Sequence, residues 1–350
     1  MPTATAPHAC LLRPPHQLYI GLVAVLVLGG TLYSAWHGLH LYNVSLSSPT
    51  SAALIGAARL PNTRLADRRN LLNTLVIKRA WAWTTAAWLV QAATLRGPLA
   101  PAQQQPEGKG KQRADAQQGA RPGALAKSAV RYAVATALWG LFAAWFFGPP
   151  LMERVLYWTG AQCIPDMHSL GGPGIVLPNG GAIDPSFCYA RKPVTVASHP
   201  QLFNTATVLA AQGTGGKLKA RFRGGHDISG HTYILVLSAL FLLEELTPFL
   251  PYLAPASMRD SLASFFPRAL WAARDPFAGW TGPRQGATQS ERAAVNRARL
   301  NLAAAVSVLA LVAVELFCLA CTALFFHTPL EKVTGLLVAL GAWAVMPHGG

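Results

Sequence analysis

The sequence predicts an all-α fold, a polytopic membrane protein with about six transmembrane helices, and three observations carry that reading. Of 350 residues, 52% are hydrophobic and only 12% charged, where an average soluble domain carries roughly 25% charged residues. The apolar residues gather into charge-poor runs close to the ~20 residues that cross a bilayer. Lys+Arg exceed Asp+Glu by 29 to 14, a formal net charge of +15, which in a soluble protein would point to nucleic acid. Because that charge falls between long apolar runs, a membrane is the better reading and no nucleic-acid partner is expected. A single soluble globule and a disordered chain are both excluded. Five cysteines are too few for a disulfide scaffold, and they show no zinc spacing.

The elements follow in chain order. Residues 1–17 form an N-terminal segment. The first apolar run, 18–36, has no A-x-A cleavage site after it and reads as a retained anchor. The second, 80–95, is flanked by Lys78, Arg79 and Arg96 and carries Trp81, Trp83 and Trp88. It is short and extends toward Leu71, with Lys78 snorkelling. Residues 18–95 thus hold spans one and two. Residues 96–131 contain Gln103-Gln104-Gln105-Pro106 and Gly108-Lys109-Gly110-Lys111, a polar low-complexity loop expected to be disordered. Residues 132–250 hold span three, 132–147, and span four, 232–250, joined by a long Gly/Pro-rich loop. Residues 251–299 form a basic loop with an interfacial piece at 262–271. Residues 300–350 hold span five, 300–326, and a short span six, 333–346. No internal repeat is found.

Six spans put both termini on one side. The connecting loops are basic on both sides, so the positive-inside rule does not choose between them. Two features place the 37–79 and 148–230 loops in a lumen. One is the sequon Asn43-Val44-Ser45; the other is Cys163 and Cys188, which pair if their shared loop faces an oxidising compartment. The low-complexity loop suits the cytosol.

The chemistry concentrates at the start of span four, in Gly224-Gly225-His226-Asp227-Ile228-Ser229-Gly230-His231. Ser229 is placed to cap the helix. The free N–H groups that follow it and the helix dipole favour an anion. A histidine in that first turn can donate a proton or attack phosphorus. Asp227, four residues before His231, either orients its ring or caps the span. A second histidine, His327, ends span five. The chain crosses through span four and returns through span five, so His231 and His327 lie on the same face of the membrane. Such a pair suits phosphoryl transfer, one imidazole as nucleophile and one as acid. His226, Asp227 and His231 lack a third ligand at metal spacing, and no metal or cofactor is expected. Glu244, Glu245 and Glu315 lie inside spans, where acids are costly. At a rise of about 1.5 Å per residue, Glu245 lies about 21 Å from His231 and Glu315 about 18 Å from His327. The two acids could share one depth, and both lie too deep to be catalytic partners of the histidines.

Three separated segments resemble the fat storage-inducing transmembrane family, including its fungal members linked to inositol metabolism. The first is Arg69-Asn70-Leu71-Leu72-Asn73 with Val76-Ile77-Lys78-Arg79-Ala80-Trp81-Ala82-Trp83-Thr84. The second is Asp227-Ile228-Ser229-Gly230-His231, continuing to Glu244-Glu245. The third is Cys321-Thr322-Ala323-Leu324-Phe325-Phe326-His327 followed by Lys332-Val333-Thr334-Gly335. Tyr157-Trp158-Thr159-Gly160-Ala161-Gln162-Cys163 adds a fourth. The resemblance implies a six-span protein of the endoplasmic reticulum with cytosolic termini and a luminal active site. It implies an acyl-CoA diphosphatase that cleaves fatty acyl-CoA to acyl 4′-phosphopantetheine and adenosine 3′,5′-bisphosphate. Such an activity supports lipid droplet formation, phospholipid biosynthesis and homeostasis of the organelle. Its partners would be fatty acyl-CoA and membrane lipids, diacylglycerol and triacylglycerol among them. The family's two catalytic histidines carry over onto His231 and His327. A more distant similarity to membrane lipid phosphate phosphatases implies that His327 is the nucleophile and His231 protonates the leaving group.

The chain departs from those phosphatases in lacking their Lys-x6-Arg-Pro motif and an Arg before the second histidine. Phosphoryl transfer needs cationic or dipolar clamps. The substrate-binding candidates are Asp227, Ser229, Lys332 and Lys78. Lys217, Lys219, Arg221 and Arg223, with Arg69 and Arg79, are further cations. Two rival functions stay open: a non-enzymatic membrane protein that binds and partitions neutral lipid, and a lipid phosphate phosphatase.

Overall fold

The computed structural model describes residues 13–39, 64–66, 70–95, 122–143, 149–165, 181–203, 217–283 and 285–348. The sequon at Asn43, Arg69 and residues 96–121 of the low-complexity loop lie outside the described residues. In chain order the principal elements are α1 (Pro14–Trp36), α2 (Ala80–Thr94), α3 (Pro122–Ala143), α4 (Leu151–Trp158), β1 (Gln162–Pro165), α5 (Pro185–Tyr189), β2 (Pro193–Thr195), β3 (Lys217–Arg223), α6 (Gly230–Leu246), α7 (Gln289–Phe325) and α8 (Pro329–Ala344). Among the described residues each of the six apolar runs is mainly helical. Among the described residues two helices, α1 and α7, are long and apolar enough to cross a membrane by themselves. The second run does extend backwards, through a π-helical turn at Leu72–Val76 and a 3-10 turn at Ile77–Arg79.

The chain divides into two compact units. The first comprises Met1–Ala137 and His231–Gly350. Its centre is α6, buried at every residue from Thr232 to Leu246; a helix apolar on all sides needs such surroundings. The helices around it are inverted relative to those of a soluble bundle. Helix α1 turns Tyr19, Val23, Thr31 and Ser34 inward and exposes Val25 and Leu32, both at 71%. Helix α7 exposes Val306, Val314 and Phe317 while burying Asn301 and Glu315. Apolar outer faces of this extent are a signature of contact with lipid.

Three close contacts hold the end of α7. A Cβ on Gly30 would stand 2.7 Å from the Cβ of Ala323, so glycine lets α1 and α7 approach. The last carbonyls of a helix lack partners within it. Here Ser34 Oγ donates to the Leu324 carbonyl at 2.6 Å, and Lys332 Nζ donates to the Ala323 carbonyl at 2.6 Å.

The second unit, Leu138–Gly230, corrects the all-α expectation. The segment read as a Gly/Pro-rich loop carries a three-stranded antiparallel sheet in the order β1-β3-β2. Cys163 faces Phe222, and Val194 faces Leu218. Val194, Leu202 and Leu218 form a small core with Ile183 and Phe187. Period-two alternation explains β3: Leu218 is buried, while Lys217, Lys219, Arg221 and Arg223 are all exposed. Cys163 and Cys188 form a disulfide that ties β1 to α5. Gly224 and Gly225 follow with φ of 79° and 72°. A Cβ on Gly225 would stand 2.4 Å from the Leu156 carbonyl oxygen, so only glycine passes this point on the way to α6.

Candidate active site

Two helix ends meet in the first unit. Helix α6 starts at Gly230, which puts His231 in its first turn. Helix α7 stops at Phe325 because the chain then leaves helical geometry: Phe326 is extended, with φ −118° and ψ 153°. His327 follows in the left-handed region with φ 58°, and α8 begins at Pro329. The His231 and His327 rings stand 5.9 Å apart, centroid to centroid, and nearly perpendicular at 84°. Phe326 lies edge-on to His231 at 6.1 Å. Both imidazoles are partly exposed, so a substrate can reach them. The N-termini of α6 and α8 flank the pair, each with the partial positive charge of a helix start.

Glu331 was not anticipated. Thr328 caps α8, and its side chain accepts from the Glu331 amide, while the Glu331 carboxylate accepts from the Thr328 amide at 2.8 Å. The same carboxylate oxygen, Oε2, lies 3.3 Å from Nδ1 of His327. Burial pushes the Glu331 carboxyl upward. The hydrogen bonds from His327 and the Thr328 amide, with the charge on His327, outweigh that and hold it below the ordinary carboxylate range. A carboxylate on Nδ1 fixes the proton there and leaves Nε2 as the reactive nitrogen. The Thr-x-x-Glu capping box was legible in the sequence, and it carried the signal.

The other candidates are placed separately. Lys332 is fully buried, its ammonium on the Ala323 carbonyl, where it fastens the end of α7. Lys78 is exposed in the 3-10 turn before α2. The neighbouring Ile77 lines a small crevice with Asn70, Asn73, Cys321, Thr322 and Phe326, so the first and third family-like segments meet in space. Asp227 and Ser229 belong to the second unit, in the short link from β3 to α6; Asp227 is half-buried and Ser229 fully buried.

Glu315 meets α6 at a different level from Glu245. Ser238 Oγ donates to Glu315 at 2.6 Å, and Thr84 joins this group through Ser238. Ser238 precedes Glu245 by seven residues, about 10 Å of helix. Glu245 instead pairs with Arg131 and accepts from Ser128 at 2.6 Å.

The family model for fat storage-inducing transmembrane protein matches residues 61–346. The acyl-coenzyme A diphosphatase fit1 of Schizosaccharomyces pombe is 24% identical over 179 residues, which cover 51% of this chain and 48% of that protein. The chain thus spans about half the length of the curated relative it matches. No solved structure matches. With both histidine-bearing segments inside the matched region, the chain belongs to the fat storage-inducing transmembrane family.

Proposed function

We propose that this chain is an acyl-CoA diphosphatase, a hydrolase that acts on the pyrophosphate of fatty acyl-CoA at a membrane boundary. The observation that carries the reading is the pair of imidazoles 5.9 Å apart. An in-line displacement needs a nucleophilic nitrogen about 3–3.5 Å from phosphorus. It also needs a proton donor about 2.8 Å from the departing oxygen. Two rings at this separation match that scale around one phosphoryl group.

In the first step His327 Nε2 attacks one phosphorus of the anhydride. The N–P bond forms as the bridging P–O bond breaks, and protonated His231 gives its proton to the departing phosphate oxygen. In the second step neutral His231 takes a proton from water, whose oxygen attacks the phosphohistidine and releases His327. The products are acyl 4′-phosphopantetheine and adenosine 3′,5′-bisphosphate. Glu331 holds His327 in the working tautomer. The starts of α6 and α8, with Lys78, supply positive potential where the lipid phosphatases use arginine.

The acyl chain stays in the bilayer, consistent with the outward apolar faces of α1 and α7. The Cys163–Cys188 disulfide supports a luminal position for the segment leading to His231, hence six spans with cytosolic termini in the endoplasmic reticulum. There the activity would serve phospholipid synthesis and lipid droplet formation.

The test is hydrolysis of oleoyl-CoA by the purified full chain. Wild type is expected to release adenosine 3′,5′-bisphosphate, and His231→Ala and His327→Ala to lose at least 100-fold of the rate, the scale of an acid–base or nucleophilic group. Release of inorganic phosphate from phosphatidate alone would favour a lipid phosphate phosphatase. Lipid binding that survives both substitutions, with no hydrolysis by wild type, would favour the partitioning role.

A further inference from the structure

At the far end of α6 from the histidine pair, about 20 Å along the helix, side chains from the two ends of the chain converge. His16 on α1, Glu244 on α6 and His348 just past α8 each offer one ligand atom, and these atoms all lie within 4.8 Å of one another. His16 Nε2 stands 3.0 Å from Glu244 Oε2. His348 Nδ1 stands 3.9 Å from Oε1 of the same carboxylate. His348 Nδ1 is buried and has no hydrogen-bond partner among the described residues. Two of the donors are buried, His16 at 2% exposed and Glu244 at 5%, while the His348 side chain keeps 22% exposure and leaves a way in. Trp343 walls it, edge-on to His16 at 5.0 Å and 4.3 Å from the ring of His348.

Arg131 prepares the site without filling it. Its Nη1 pairs with Glu245, its Nη2 stays 3.9 Å from Glu244, and its Nε donates to the Pro347 carbonyl at 2.8 Å. That last bond anchors the residue next to His348. Arg131 is paired with Glu245, which leaves the Glu244 carboxylate as the anionic donor of the group. Two imidazole nitrogens and a carboxylate make a donor set typical of zinc-class ions. Donors about 2.0–2.2 Å from such an ion lie roughly 3–3.5 Å from one another; His16 already stands 3.0 Å from Glu244, and His348, at 3.9 Å, would draw in on binding.

We propose that His16, Glu244 and His348 bind a divalent transition-metal ion of the zinc class, which clasps α1, α6 and the segment after α8 together. The inference does not depend on the proposed hydrolase activity, because no donor belongs to the histidine pair. The test uses the full chain in detergent, with any affinity tag removed, stripped with chelator and then dialysed against zinc or cobalt. Wild type is expected to retain about one equivalent of zinc, to show cobalt ligand-field bands, and to gain thermal stability on zinc addition. His16→Ala and His348→Ala should each weaken zinc binding at least 10-fold, while His231→Ala retains it. His348→Ala lies beyond the last helix and keeps the test open should Glu244→Gln fail to fold. Folded wild type retaining less than a tenth of an equivalent overturns the proposal, as does equal retention by all variants. A pH-dependent stability that zinc leaves unmoved also overturns it, since a proton would then hold the cluster.

Discussion

His327 holds a backbone conformation, φ 58°, that costs a non-glycine residue of order 1–3 kcal/mol. The capped start of α8 and the buried Phe326 impose it from either side. Strain of this kind persists where the side chain has work to do. His327→Gly should therefore be more stable than His327→Ala by about 1 kcal/mol, while both lack activity; thermal unfolding beside the hydrolysis assay checks this. Glu331 separates two roles at the same scale. Glutamine preserves a capping box but removes the charge beside His327, whereas alanine removes both. Glu331→Gln should lower kcat about 10- to 100-fold with little change in KM, and Glu331→Ala should add a loss of stability. Because the folded Glu331 carboxyl is held low, its stabilising contribution is complete above its unfolded value of about 4.3 and lost as pH falls through the lower folded value. The stability gap between wild type and Glu331→Gln should therefore close in acid, and a gap that widens there would contradict the pairing.

At the scale of elements, the end of α7 is where packing and chemistry join. Gly30, Ser34 and Lys332 all converge on Ala323 and Leu324, one turn before His327. Gly30→Ala should cost about 1–3 kcal/mol by overpacking, and Ala323→Gly in the same chain should recover most of it. Thermal unfolding of the two single variants and the double measures that coupling. The helices were legible because charge-free runs near span length have few alternatives, and even the backward extension of α2 could be read. The sheet was not. Lys217-Leu218-Lys219-Ala220-Arg221-Phe222-Arg223 shows the period of two, yet four cations in seven residues read equally as a set of phosphate clamps. The partners of β3 are only three or four residues long, too short to announce themselves among Gly and Pro.

Across the whole molecule, span parity alone predicts His231 and His327 on one side, and their rings stand 5.9 Å apart. Parity could not reach Glu331, whose role depends on a local turn, nor the cluster of His16, Glu244 and His348, whose members come from the two termini and the central helix. Such a cluster follows only from how the helices pack, which no local pattern encodes. Parity still makes one further demand. Helix α7 has 37 residues, about 56 Å of helix, against a hydrocarbon core of about 30 Å. In the proposed six-span arrangement its polar first turns from Gln289 project from the bilayer on the side opposite His327. Lys219 on β3 precedes α6 and Ser290 follows it, so the proposed six-span arrangement puts one crossing between them, and both positions are exposed. Single cysteines placed there, Lys219→Cys and Ser290→Cys, should therefore report opposite sides of a sealed microsome. A membrane-impermeant maleimide should label Ser290→Cys directly and Lys219→Cys only after the membrane is opened. Labelling of both from outside would mean that α6 does not cross, and the six-span arrangement with a luminal histidine pair would fail with it.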